Sequence, residues 1–301
     1  GAGPGGYVAS IVAAQKGMKV ANIEKRKTLG GTCLNVGCIP SKALLHASEQ
    51  YKNNLKENAN HNWGIEFDNL KLNLEKLMKK KLGIVDDLTK GINFLFSKNK
   101  IDRFIGQAKI LKNNEVSVTK EGKKETIYGE KIIIASGSKP SSLKNIGFDE
   151  QLIVSSTGVL ELNKIPKKLV VVGAGVIGLE MGTVWQRFGS DVEIIEFMPR
   201  ILNGMDSEIS QKFMKILENQ GIKFQLNTSV EEVSVKDNFA QMKIKNQSDM
   251  KEKLITADIV LIAVGREPNT ENLGLKELGI SLDEKGFIET DEKFQTSIKN
   301  I

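Results

Sequence analysis

One pattern recurs in this chain at a fixed interval, and it restricts the fold more than any other feature. Gly1, Gly3 and Gly6 form G-x-G-x-x-G, and Gly173, Gly175 and Gly178 form it again. Glu24 closes the run Lys19-Val20-Ala21-Asn22-Ile23-Glu24, 21 residues after Gly3, and Glu196 closes Asp191-Val192-Glu193-Ile194-Ile195-Glu196 at the same distance from Gly175. A single shift of 172 residues relates all eight positions. In such a unit the first glycine makes the strand-to-helix turn and the second lets a pyrophosphate reach the backbone amides. The third lets helix and strand pack closely. The terminal carboxylate accepts hydrogen bonds from ribose hydroxyls. The second copy has its strand in Lys168–Val172 and its helix from Val176 to Phe188. Each copy has a later strand ending in glycine, Ile132–Gly137 and Ile259–Gly265. Two registered copies imply an α/β chain with two dinucleotide sites.

Composition agrees and removes other classes. The 301 residues are 40% hydrophobic and 27% charged, enough for two cores, and 6% aromatic content suits α/β better than an aromatic-rich β-sandwich. No apolar run approaches the roughly 18 residues of a membrane span. Two cysteines cannot staple a secreted scaffold. The net charge is +6, and the lysines are spread along the chain, with Lys79, Lys80 and Lys81 their one compact run. Set between Leu77, Leu82 and Val85, that run reads as the solvated side of an amphipathic helix, so no nucleic-acid partner is expected. Residues 70–99 and 206–220 carry helical periodicity, and 113–128 reads as an antiparallel excursion around Lys120–Lys123. Residue 1 is Gly, no strand precedes the first glycine turn, and Phe294–Ile301 ends abruptly. The expectation is a fragment with its first strand missing and its targeting unreadable.

Both cysteines fall in Gly30-Gly31-Thr32-Cys33-Leu34-Asn35-Val36-Gly37-Cys38-Ile39-Pro40-Ser41-Lys42. The glycines permit a tight loop, and Pro40 suits the first turn of a helix continuing through Ala43, Leu44 and Leu45. A helix start favours an anionic sulfur, so the pair reads as a redox dithiol rather than a staple. Zinc is disfavoured because no second Cys or His cluster supplies four ligands; no metal is expected.

At these residues the chain resembles the pyridine nucleotide-disulfide oxidoreductases, in their dihydrolipoamide-oxidising branch, over essentially its whole length. Val176-Ile177-Gly178-Leu179-Glu180, Glu196-Phe197-Met198-Pro199-Arg200-Ile201-Leu202 and Gly265-Arg266-Glu267-Pro268-Asn269-Thr270 support the likeness. It implies two Rossmann-like domains, an FAD domain at 1–145 and an NAD domain at 146–268. Residues 269–301 would begin the return to the first, and the C-terminal interface domain would be absent. It implies FAD contacts from Gly1, Gly3, Gly6, Glu24, Gly31, Thr32, Cys33, Lys42, Ala108, Ser136, Gly137 and Ser138. NAD would meet Gly173, Ala174, Gly175, Val176, Ile177, Gly178, Leu179, Glu180, Glu196, Val230 and Gly265. Cys33, Cys38, Lys42 and Glu180 would be catalytic, with Lys42 and Glu180 paired near the flavin N5. The Glu196 carboxylate suits NAD and repels the extra phosphate of NADP.

Ser41, where glutathione-reductase-like enzymes carry Lys, favours the lipoyl branch. Mercuric reductases share much of the motif, and a non-catalytic flavin-binding subunit of a multienzyme complex is the alternative from another class. Departures from the family pattern are Ser136 for Thr, Ala108 for Gly and Val159 for Ala. The family's catalytic base is a His–Glu pair beyond residue 301; His46 and His61 read as ordinary histidines, and the fragment alone is expected to be inactive. The resemblance also implies a homodimer when full length, a dihydrolipoyl-bearing acyltransferase or glycine-cleavage carrier protein as partner, a part in cell redox homeostasis, and a bacterial cytoplasmic or mitochondrial matrix location.

Overall fold

The computed structural model describes residues 1–55, 69–112, 114–144 and 146–301. They form two interleaved compact units, one of residues 1–39, 84–139 and 266–301, the other of 40–83 and 140–265. Residues 40–83 thus pack with the second unit and 266–301 with the first, so neither unit is one continuous stretch of chain.

In the first unit, α1 (Pro4–Gln15) leads to β1 (Ala21–Glu24). Next come α2 (Gly31–Val36) and the start of α3 (Cys38–Asn53), then the second half of α4 (Leu74–Lys98). β2 (Asp102–Ile105) pairs in parallel with β1. β3 (Gln107–Lys112), β4 (Glu115–Lys120) and β5 (Lys123–Tyr128) form an antiparallel sheet. Its β4–β5 turn holds Glu121 and Gly122 at φ 49° and 79°, the left-handed pair that suits a two-residue hairpin. β6 (Ser138–Pro140) pairs with a later strand. The expected strand at Ile132–Gly137 is not one: no described strand pairs with it, and Ile132 N instead donates to Asn300 O.

The second unit carries a five-stranded parallel sheet. β7 (Ile153–Val154), β8 (Lys168–Val172), β9 (Asp191–Ile195), β10 (Lys223–Gln225) and β14 (Ile259–Ile262) stand in the order β10-β9-β8-β14-β7. α5 (Val176–Arg187) crosses from β8 to β9, and α6 (Ser207–Asn219) from β9 to β10. Asp206 caps α6 by accepting from Glu208 N and Ile209 N. Leu169, Val170, Val171, Val192 and Ile194 are fully buried, as a sheet covered on both faces requires. Between β10 and β14 lies an antiparallel sheet, β11 (Thr228–Lys236), β12 (Phe239–Asn246) and β13 (Glu252–Ala257). The chain then makes β15 (Arg266–Pro268), the partner of β6, and α7 (Leu275–Leu278) in the first unit.

The lysine run corrects an expectation. Lys79 and Lys80 are exposed, but Lys81 is buried at 1% exposure. Its Nζ donates to Leu160 O at 2.5 Å and pairs with Glu161 at 3.0 Å, tying α4 to the 3-10 turn Gly158–Leu160. Lys81 falls on the face of α4 that carries Leu74, Leu77 and Met78, seven, four and three residues before it, so it is drawn into the packed side.

Candidate functional site

The two glycine turns share their hydrogen bonds as well as their spacing. Ala2 N donates to Glu24 Oε2 at 2.6 Å, and Ala174 N to Glu196 Oε2 at 2.6 Å. Arg26 N reaches Glu24 Oε1 at 2.9 Å; Met198 N reaches Glu196 Oε1 at 2.8 Å. Gly30 N donates to Ala2 O, and Leu202 N to Ala174 O. Every pair obeys the same 172-residue shift. Each strand-end carboxylate thus sits beside its turn, held by two amides.

Sterics separate the roles of the glycines. A Cβ on Gly1 would lie 2.1 Å from Ala135 O, and on Gly6 1.8 Å from Gly1 O. On Gly173 it would lie 2.5 Å from Ala263 O, and on Gly178 2.1 Å from Gly173 O. The first and third glycines are therefore dictated by the chain's own packing. The second ones are not. Gly3 meets only Gly31 Cα, at 3.7 Å, and Gly175 meets nothing within 4 Å. Gly175 also has an ordinary φ of −78°. Nothing among the described residues forbids a side chain there, which fits a ligand passing close to the backbone at the start of α5. In the second unit the turn lies where β8 and β14 end side by side, with Ala263 N donating to Val172 O. The strand order reverses there, and open α/β sheets bind ligands at that edge. Val176, Ile177, Leu179 and Glu180 follow in the first turns of α5. Gly265, at φ 140°, lies just past β14, and Val230 lies at a β-bulge of β11, two residues beyond Thr228, whose N donates to Glu196 O.

In the first unit the turn is backed by the Cys-bearing segment. A Cβ on Gly31 would come 2.3 Å from Gly3 Cα, so α2 starts against the glycine turn, with Thr32 and Cys33 next along it. The segment between the cysteines is not the expected loop but a short helix, α2, entered through Gly30 at φ 99°. Gly37 breaks it, and a Cβ there would lie 2.8 Å from Thr32 O and 3.0 Å from Cys33 Cα. Asn35 Nδ2 closes the turn onto Leu29 O and Gly31 O. Cys33 is half-buried and Cys38, the first residue of α3, is exposed.

Ser136, Gly137 and Ser138 are braced by two residues of the Gly-Arg-Glu-Pro-Asn-Thr stretch whose role the sequence did not disclose. Arg266 Nε donates to Ser138 Oγ at 2.8 Å and its Nη2 to Ser138 O at 2.6 Å. Asn269 Nδ2 donates to Ser136 O, and Asn269 N to Gly137 O. Burial, with the nearby Arg26 charge adding, pushes the Arg266 guanidinium below its usual range. Ala108 lies on β3, packed in the cluster that also takes Ile132 and Ile134.

In the second unit Lys42 of α3 ion-pairs with Glu180 of α5 through Oε1, and Ser41 Oγ donates to Glu180 Oε2 at 3.3 Å. His46 is exposed on α3, and His61 lies outside the described residues. Among the described residues no group of His, Cys, Asp and Glu could hold a metal ion, and no helix is long and apolar enough to cross a membrane.

The sequence profile of the pyridine nucleotide-disulphide oxidoreductases matches residues 1–301. Mitochondrial dihydrolipoyl dehydrogenases of Bos taurus and Homo sapiens are 50% identical over 305 residues, covering 100% of this chain. The chain spans 60% of the length of those relatives. Among solved structures, the Cu(II) complex of the HOCl-induced flavoprotein disulfide reductase RclA from Escherichia coli superimposes with a TM-score of 0.85 at 29% identity. That match covers 100% of this chain and 63% of the other.

Proposed function

Because the chain belongs to the pyridine nucleotide-disulphide oxidoreductase family, we propose that the protein containing it oxidises dihydrolipoyl groups to the lipoyl disulfide with NAD as electron acceptor. One observation carries the reading: the Cys33–Cys38 dithiol is built onto the first glycine turn, through the Gly31–Gly3 contact. A redox pair fixed to a dinucleotide turn serves electron transfer rather than stapling.

FAD at the first turn would be held by Gly1, Gly3, Gly6, Glu24, Gly31, Thr32, Cys33, Ala108 and Ser136–Ser138; Lys42 and Glu180, paired in the second unit, would be catalytic residues. NAD at the second would be held by Gly173–Glu180, Glu196, Val230 and Gly265. The fit rests on the two unexplained second glycines and the twin carboxylates. When bound, FAD supplies the two-electron relay between thiols and nicotinamide.

The chain's own chemistry is thiol–disulfide exchange. In the oxidised enzyme one dihydrolipoyl thiolate attacks Cys33 Sγ, the Cys33–Cys38 bond breaks, and Cys38 leaves as thiolate. The second substrate thiolate attacks its mixed-disulfide sulfur and releases Cys33. A lipoyl disulfide forms and two electrons stay on the protein dithiol. Two protons leave the substrate thiols, and a base outside residues 1–301 takes at least one of them. Partners on this reading are a dihydrolipoyl-bearing acyltransferase or a glycine-cleavage carrier protein, with the full-length chain a homodimer in the mitochondrial matrix or bacterial cytoplasm.

The test is NADH formation by the full-length, FAD-loaded protein on dihydrolipoamide. Turnover that disappears in both Cys33→Ser and Cys38→Ser is expected. NADPH-driven reduction of mercuric ion without dihydrolipoamide turnover would replace this reading with the mercuric reductase alternative.

A further inference from the structure

Glu180 lies in the second turn of α5 with its side chain about one-quarter exposed, and it is approached by two adjacent residues of α3. Lys42 takes Oε1. Ser41, itself only 8% exposed, donates its hydroxyl to Oε2 at 3.3 Å. The two contacts are unlike in kind. The Lys42 side chain is 60% exposed and reaches its partner on a long flexible stem, so the pair alone fixes a distance and leaves the carboxylate free to rotate. The Ser41 side chain has a single rotatable bond to its oxygen and stands in the buried first turns of α3. A second hydrogen bond, on the other oxygen, fixes the carboxylate plane.

We infer that Ser41 is a positioning residue: its hydroxyl sets the orientation of the Glu180 carboxylate and thereby holds the Lys42 ammonium in one place. This rests on the proposed function above, in which Lys42 and Glu180 are catalytic. It also gives residue 41 a selective role. A lysine at that position would bring a second cation to Glu180 and compete with Lys42, so a small hydroxyl at 41 makes Lys42 the cation of the pair.

The experiment uses the full-length, FAD-loaded protein and reads two quantities, neither needing a lipoyl substrate. One is the rate at which NADH reduces the flavin; the other is labelling of Lys42 by an amine-reactive ester at fixed pH, followed by mass spectrometry. Ser41→Ala should slow flavin reduction about three- to tenfold, the scale of losing a hydrogen bond to a charged group that is partly solvated. The apparent affinity for NADH should hardly change, and Lys42 labelling should rise. Ser41→Thr, which keeps the hydroxyl, should restore both. In a Glu180→Gln background, Ser41→Ala should add little, because the residue acts through the carboxylate. Unchanged Lys42 labelling, unchanged flavin reduction, or additive effects with Glu180→Gln would each overturn the inference. A protein that fails on dihydrolipoamide but shows the NADH and labelling pattern would keep it and discard only the substrate assignment.

Discussion

A methyl group added at Gly175 would meet nothing within 4 Å among the described residues, whereas one added at Gly178 would be driven into Gly173 O and Val171. The two substitutions should therefore separate binding from folding. Gly175→Ala loses some helix N-cap preference but also removes unfolded-chain entropy, and the two effects offset to within about 1 kcal/mol. Its melting temperature should barely move while NAD affinity falls about tenfold or more, as a methyl group occupies the path of the pyrophosphate. Gly178→Ala forces backbone apart and should cost about 1–3 kcal/mol before any ligand is added. Thermal unfolding and NAD titration of the two full-length variants check this. Equal losses of stability would mean that the second glycine is a packing residue after all. The glycines were legible in the sequence because their spacing is rigidly tied to a turn. Ser41, Arg266 and Asn269 acquired roles only in three dimensions, since a hydroxyl, a guanidinium and an amide find acceptors across long sequence separations that no local pattern encodes.

At the scale of elements, two buried charges show where pattern reading stops. Lys81 anchors α4 to the turn at Leu160, so Lys81→Met should lower stability by about 1–3 kcal/mol by leaving a carbonyl and a carboxylate without their donor. Lys79→Met and Lys80→Met should change little. If all three behave alike in thermal unfolding, the burial of Lys81 is not energetically important. Glu193, 7% exposed in the middle of β9, joins Lys168 of β8 at 3.0 Å, Gln225 of β10, and Lys253 of β13 at 3.9 Å. Burial pushes its carboxyl upward, but hydrogen bonds from Gln225 and Lys168 and the charges of Lys168 and Lys253 outweigh that and hold it below the ordinary 4.5. A lowered folded value means that the unfolded chain binds more protons in this window. The stabilisation is therefore complete above about pH 5 and is lost as pH falls through the lowered value. Glu193→Gln should flatten the loss of melting temperature as pH falls below about 5; parallel curves for the two proteins would remove Glu193 from the acid response. The parallel strands were readable from their uninterrupted Val and Ile. β11–β13 drew no expectation, although Ala240, Met242 and Ile244 alternate with Gln241 and Lys243 in the period-2 pattern of a half-buried strand.

For the whole molecule, the 172-residue shift preserves glycines, carboxylates and their amide donors while the surroundings differ. The first turn abuts the Cys-bearing helix α2 through Gly31; the second stands at the reversal point of a five-stranded sheet. The duplication was visible in the sequence, but the packing of 40–83 with the second unit was not, because packing partners at such separations leave no periodic trace. If the two copies hold different dinucleotides, their carboxylates should fail in different ways. Glu24→Ala removes the acceptor at the first turn, so the full-length protein should purify with less FAD per chain, and added FAD should restore it only at raised concentration. Glu196→Ala should leave flavin content intact and weaken NAD binding. Replacing Glu196 with Arg should go further and move preference toward NADP, since repulsion of the extra phosphate becomes attraction. Flavin-to-protein ratio and coenzyme titrations with NADH and NADPH read the two effects separately. Loss of flavin in Glu196→Ala, or an altered NADH-to-NADPH ratio in Glu24→Ala, would mean that the roles of the two turns are exchanged or shared.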